Sequence, residues 1–71
     1  MAENKDLERN AIVAQALPNI MFRVKIDGDE NETLAYLSGK MRLHRIRVLV
    51  GDKVVLQLEP YGGKAKIIKR L

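Results

Sequence analysis

Apolar and polar residues alternate with a period of two along several short segments of this chain. In residues 21–26, Phe22, Val24 and Ile26 share one face, and the basic residues between them share the other. A period of two is typical of a β-strand with one face on a core and one face in solvent. Gly, Pro and Asn end each alternating segment after a few residues, so the chain has to build its core from short strands.

Five strands and one short helical insert are predicted from this pattern. The strands are expected at residues 10–17, 21–26, 33–37, 53–59 and 64–70. Residues 10–17 are apolar on both parities, so the first strand is expected to be buried on much of both faces. Five short strands with a helical insert after the third are typical of an all-β, five-stranded OB-fold barrel. An SH3-like barrel is the main alternative.

Residues 40–47 interrupt the alternation and are too basic for a buried strand. We expect a short helical turn and a loop here, with Leu43 and Ile46 as inward-facing anchors because they are three residues apart. Residues 1–9 show no apolar period and are predicted to form a flexible N-terminal tail. Residues 10–71 are then a single OB-fold domain.

Length and composition exclude most kinds of enzyme. A chain of 71 residues buries only about 60% of its unfolded surface, which allows one small core and no large substrate cavity. Cysteine is absent, and His44 and Ser38 are the only histidine and serine, so thiolate chemistry and histidine pairs are excluded. We expect no catalytic residue and no cofactor. The polar, acidic N-terminal segment and the lack of a long apolar run indicate a cytoplasmic protein without a membrane segment.

The acidic segment after residue 26 partly matches a metal-binding loop. Asp27, Asp29 and Asn31 match the first three ligand positions of an EF-hand loop. The positions that require a turn glycine and a bidentate glutamate hold Glu32 and Ser38 instead. The sequence therefore favours a solvated turn and no metal site.

Charge is divided unevenly between the two halves of the chain. Residues 1–39 carry four basic and seven acidic side chains, a net charge of −3, whereas residues 40–71 carry nine basic and two acidic ones, a net charge of +7. Clustered Lys and Arg neutralise phosphates and release counterions, which favours a polyanionic partner over a merely solvated basic face. The candidate binding residues are Lys40, Arg42, Arg45, Arg47, Lys64, Lys66, Lys69 and Arg70.

The few aromatic residues indicate the mode of nucleic-acid binding. Nonspecific single-strand binders stack bases on several exposed aromatic rings, but this chain has only Phe22, Tyr36 and Tyr61. Phe22 is expected in the core, and Tyr61 is expected to be a structural residue of a turn. The sequence therefore favours recognition of a folded RNA by shape and charge.

Several motifs in the second half resemble those of the bacterial translation initiation factor one family. These are Ser38-Gly39-Lys40-Met41-Arg42, then residues 46–49 and 51–54. The motifs Leu17-Pro18-Asn19 and Met21-Phe22-Arg23-Val24 are also similar to that family, as is Pro60-Tyr61 before a basic final strand. The resemblance covers residues 10–70 in the family's order.

The resemblance implies a five-stranded OB barrel that binds the small ribosomal subunit at the decoding (A) site. It implies contacts with ribosomal RNA and a neighbouring ribosomal protein, cooperation with initiation factors two and three, no enzymatic activity, and a free monomer. In the family, a loop enters the minor groove of a ribosomal RNA helix and displaces two stacked adenines. That role would fall to Gly39, Lys40, Met41 and Arg42, and the resemblance also matches Arg47, Lys64 and Arg70 to basic positions.

The sequence departs from the family at several places, and two other functions stay open. Leu43-His44-Arg45 moves a positive charge by two positions, and Gly62-Gly63 shortens the turn before the last strand. A general RNA-binding OB module or RNA chaperone is one alternative. A structural interaction protein whose acidic first half docks a basic partner is the other.

Overall fold

Five strands close into a barrel, and one short helix lies between the third and the fourth strand. The computed structural model describes residues 7–60 and 63–71. The elements are β1 (Glu8–Leu17), β2 (Met21–Ile26), β3 (Glu32–Leu37), α1 (Gly39–Leu43), β4 (Lys53–Leu58) and β5 (Ala65–Arg70). This arrangement confirms the predicted all-β OB-type barrel.

The strand order around the barrel is β1-β2-β3-β5-β4, and β4 pairs with β1 to close it. All pairs are antiparallel except β3 with β5, which is parallel. The longest strand, β1, pairs with both β2 and β4, and its register with β2 shifts between Val13 and Gln15. A bulge of this kind bends a strand and increases its twist, which lets one strand serve both sides of a small barrel.

The core fills the barrel with the inward-facing residues of every strand. Val24, Val54 and Ile67 are among the side chains that are fully buried. The inward face predicted for β2 is confirmed, since Phe22 and Val24 are buried and Ile26 packs against the core.

The prediction that β1 is buried on both faces is wrong. Ala11 and Val13 are buried, but Ile12 is 40% exposed, and Ala14 and Ala16 are exposed. A closed barrel has one interior, so a strand in it buries only one parity unless another element covers its outer face.

The predicted anchors of the helical insert are also wrong. Leu43 is 76% exposed and Ile46 is 38% exposed, whereas Met41 is 2% exposed and belongs to the core. The helix ends at Leu43, and Arg45 has a φ of +54°, so Leu43 and Ile46 do not share a helical face. The side chain that holds α1 on the barrel is Met41.

The strand boundaries differ little from the prediction. β1 begins at Glu8, two residues earlier than expected, so the structure places the end of the predicted tail in a strand. Residues 1–6, Tyr61 and Gly62 lie outside the described residues, and the flexibility of the tail stays a prediction. Within the described ranges, no helix is long and apolar enough to cross a membrane.

Candidate nucleic-acid interface

The start of α1 is fixed to the barrel by Ser38. The Ser38 hydroxyl accepts a hydrogen bond from the Met41 amide at 3.2 Å, which caps the helix. The Ser38 amide donates to the Ile67 carbonyl of β5 at 3.0 Å. Because these two hydrogen bonds and the buried Met41 hold α1 on the barrel, the exposed Gly39, Lys40 and Arg42 project from a defined position beside β5.

Basic residues of the insert and of β5 line one cleft of about 720 Å³. We call it the basic cleft. Its cationic lining residues are Lys40, Arg45, Arg47, Lys69 and Arg70. These five residues come from two segments of the chain that are far apart in sequence, and the fold brings them together.

Arg70 connects the two sides of the basic cleft. Its guanidinium Nη1 donates a hydrogen bond to the Arg47 carbonyl oxygen at 2.8 Å. Arg45 turns the chain with its positive φ, and the Ile46 amide donates back to the Met41 carbonyl at 3.0 Å. The last residue of β5 therefore holds the loop that follows α1.

A second cleft, of about 560 Å³, contains the other predicted residues Arg42 and Lys64. We call it the tyrosine cleft because the Tyr36 hydroxyl lies in it and donates to Glu59 Oε2 at 3.0 Å. That hydrogen bond raises the pKa of the Tyr36 hydroxyl, as do burial and the charge of Glu59, whereas the charge of Arg42 lowers it. Among the described residues that line this cleft, Glu59 is the one acidic side chain.

The charges of the basic cleft are not neutralised by acidic neighbours among the residues that the structure describes. The ion pair found among the described residues lies outside this cleft and joins Arg23 of β2 to Glu32 of β3 at 3.8 Å, with both side chains exposed. Exposed cations without a carboxylate partner are available to phosphate oxygens. The surface formed by α1, its following loop and β5 can therefore bind a polyanion.

Two of the predicted site residues are less exposed than the cations of the basic cleft. Met41 lines that cleft but is only 2% exposed and belongs to the core, so its side chain positions α1. Lys66 is half-buried on β5, where its register partners are Tyr36 and Gln57. It lines neither cleft.

Some residues of this surface were not predicted from the sequence. His44 and Ile46 line the basic cleft beside the cations. The Tyr36–Glu59 pair joins residues that are 23 positions apart, and no local sequence signal links them.

The comparison with protein families identifies the class of protein that carries this surface. The family profile described as "Translation initiation factor 1A / IF-1" matches residues 1–71, the whole chain. The chain belongs to this family. A member of the IF-1 family is a translation initiation factor, an RNA-binding protein of protein biosynthesis that acts on ribosomes.

Solved structures agree with this family and with the OB fold. The solution structure of translation initiation factor one from the Wolbachia endosymbiont strain TRS of Brugia malayi is 32% identical and superposes with a TM-score of 0.74. The match covers 100% of this chain and 88% of that chain. The crystal structure of YjeQ from Thermotoga maritima is 31% identical over 92% of this chain, with a TM-score of 0.77. The match spans 23% of the length of YjeQ, so that likeness concerns one part of a larger protein.

Proposed function

We propose that this IF-1 family member binds the small ribosomal subunit at the decoding (A) site through contacts with ribosomal RNA. There it promotes assembly of the initiation complex together with initiation factors two and three. It works in the cytoplasm as a monomer, next to a ribosomal protein, without a cofactor and without catalysing a reaction. The observation that supports this proposal is the convergence of five basic side chains from α1, its loop and β5 on one cleft.

The shape and chemistry of the surface suit a folded RNA. The minor groove of an A-form helix is wide and shallow, so a short helix with long basic side chains can approach it. Lys40 and Arg42 project from α1, and arginine can contact a phosphate with two parallel hydrogen bonds. Phe22 is buried, so the barrel does not offer it as a platform for base stacking, as a general single-strand binder would require.

Chemical footprinting on purified small ribosomal subunits tests the proposal. We expect the protein to protect nucleotides of the decoding region at low salt, with an affinity that falls as salt rises. Lys40→Ala and Arg42→Ala should each weaken binding and lower the salt slope by about one unit for each lost phosphate contact. Lys53→Ala is the matched control, since this exposed lysine of β4 lines neither the basic cleft nor the tyrosine cleft.

Two results would overturn the proposal. One is binding to small subunits at low salt without protection of nucleotides in the decoding region. The other is equal affinity for random single-stranded RNA, which would favour a general RNA-binding module or RNA chaperone.

Gly39 offers a further arm of the same experiment. A Cβ added at Gly39 would meet no atom within 4 Å, so Gly39→Ala fits the free protein without strain. If the start of α1 lies against an RNA groove, the added methyl group should weaken binding although the protein stays fully folded. Unchanged affinity and protection in Gly39→Ala would show that the partner does not approach the start of α1 closely.

A further inference from the structure

Part of the outer face of β1 is apolar and uncovered. Ile12 and Ala14 are exposed on the outside of the barrel, where a strand usually carries polar side chains. Ile12 is 40% exposed, and its register partner on β2 is Lys25. Ile12 and Ala14 thus form a small apolar surface on the outside of the barrel.

A groove of about 540 Å³ runs from this face to the turn after β2. Its apolar side is formed by Ile12, Ala14 and Ile26. Its other side is an acidic turn formed by Asp27, Asp29 and Glu30. Lys25 of β2 also lines the groove, so the four charged side chains give it a net charge of −2. We call this site the outer groove, and it shares no lining residue with the basic cleft or the tyrosine cleft.

The acidic turn is held in a defined conformation. The Asp27 amide donates to the Asn10 carbonyl at 2.9 Å, and the Asp29 amide donates to the Ile26 carbonyl at 2.9 Å. Asp29 Oδ1 also accepts the Asn31 amide at 2.9 Å. Within the described ranges no cationic side chain forms an ion pair with the three carboxylates, so their charge faces solvent beside the apolar side of the groove.

We propose that the outer groove docks an amphipathic segment of a partner protein that carries both apolar and basic side chains. The apolar side chains of that segment would cover Ile12, Ala14 and Ile26, and its Lys or Arg residues would face the acidic turn. Carboxylates repel phosphates, so this groove does not suit RNA. The site goes beyond the proposed RNA contacts and can be occupied while the basic cleft is in use, because the two have separate lining residues.

The partner segment has to bind through side chains. β1 is already paired on both edges, with β2 and with β4, so an added strand has no free backbone edge there. An amphipathic helix lying across the groove meets this condition, because its apolar side chains can reach the floor and its basic side chains the rim.

The test uses the ¹⁵N-labelled full chain and model peptides in an NMR titration. The probe is a leucine–lysine helical peptide of about 14 residues, which forms about four turns. The two comparison peptides replace its lysines by glutamate or its leucines by serine. We expect only the leucine–lysine peptide to bind, with amide shifts concentrated at Ile12, Ala14 and residues 26–30.

Variants separate the apolar from the ionic contribution. Ile12→Ser should weaken peptide binding by about fivefold or more, since the exposed part of the side chain loses its burial. Asp29→Asn with Glu30→Gln should weaken it further and reduce its dependence on salt. Leu43→Ala is the matched apolar control on the other surface and should leave peptide binding unchanged.

Several outcomes would overturn the proposal. Equal binding of the serine–lysine peptide would mean that charge alone attracts the peptide. Amide shifts outside the groove would mean that the peptide docks elsewhere. Sedimentation of the free chain as a dimer that Ile12→Ser dissociates would make a second copy the occupant. Tighter peptide binding by a chain lacking residues 2–6 than by the full chain would make that segment the occupant. Footprinting on small subunits is read separately, so the failure of one proposal is distinguishable from the failure of the other.

Discussion

Met41 and Leu43 are two residues apart on α1 and have opposite environments. Met41 is 2% exposed in the core, and Leu43 is 76% exposed. Met41→Ala should lower the free energy of unfolding by about 2–5 kcal/mol, because it leaves a cavity under the helix. Leu43→Ala should change it by less than about 0.5 kcal/mol. Urea denaturation of the two variants checks this contrast, and equal effects would contradict the assigned anchor.

Tyr36 gives the molecule an alkaline pH dependence of known sign. The hydrogen bond to Glu59 raises the pKa of the Tyr36 hydroxyl above its ordinary value of 10.0. The neutral hydroxyl therefore adds stability that is fully present below the ordinary pKa and is lost as pH rises through the raised one. Wild type should be more stable than Tyr36→Phe at neutral pH, and this difference should shrink above about pH 10.

Denaturation of both proteins across the alkaline range measures this difference directly. Other tyrosine and lysine side chains titrate in the same range, but they are shared by the two proteins and cancel in the comparison. Glu59→Gln is the control, because it removes the charge and keeps an acceptor, so the pKa of Tyr36 should fall toward its ordinary value. A difference that is constant with pH would contradict the role of Glu59.

Arg70 acts at the scale of elements, since it joins β5 to the loop after α1. Its hydrogen bond to the Arg47 carbonyl is the contact that Arg70→Ala removes. We expect the Ile46 amide, which donates to Met41, to exchange about fivefold faster, the effect of losing one net hydrogen bond. Lys69→Ala removes the same charge from β5 without that contact, and its Ile46 amide should exchange as in wild type. Similar exchange in both variants would mean that Arg70 contributes only its charge.

A feature of an element could be predicted from the sequence where neighbouring residues determine it, and not where it depends on contacts with distant parts of the chain. The bounds of β2 were predicted correctly, because strict alternation between two turns is a local signal. The prediction for the outer face of β1 was wrong, because an apolar sequence pattern does not show whether another element covers that face. The predicted helix anchors were wrong because Leu43 and Ile46 would share a face only in a continuous helix. The positive φ of Arg45 shows that the helix does not continue between them.

The candidate site also has a part that could be predicted from the sequence and a part that could not. Clustering of Lys40, Arg45 and Arg47 is visible in the sequence, and their approach to β5 follows from the OB topology. The tyrosine cleft was not predictable, because β3 and the end of β4 meet there only through the barrel. Met41 matched a family motif, but burial gives its side chain a structural role that a motif does not reveal.

At the scale of the whole molecule, the separation of charge determines how the protein meets RNA. The chain has a net charge of +4, which is the remainder of an acidic and a basic half. The principal extents are 30 × 30 × 21 Å. At about 0.01 M salt the screening length is roughly 30 Å, so an approaching RNA interacts electrostatically with the whole molecule, including its acidic side. At about 0.15 M salt the screening length is roughly 8 Å, and the RNA interacts only with charges near the surface that it contacts.

Neutralising part of the acidic turn should therefore have an effect that depends on salt. Asp29→Asn with Glu30→Gln removes two negative charges from a groove that shares no residue with the basic cleft. At low salt this variant should bind random RNA more tightly than wild type, because the long-range repulsion is weaker. At physiological salt the two proteins should bind alike, since screening removes that repulsion. Fluorescence anisotropy at both salt concentrations measures this, and a difference that persists at the higher salt would place the acidic turn in direct contact with the RNA.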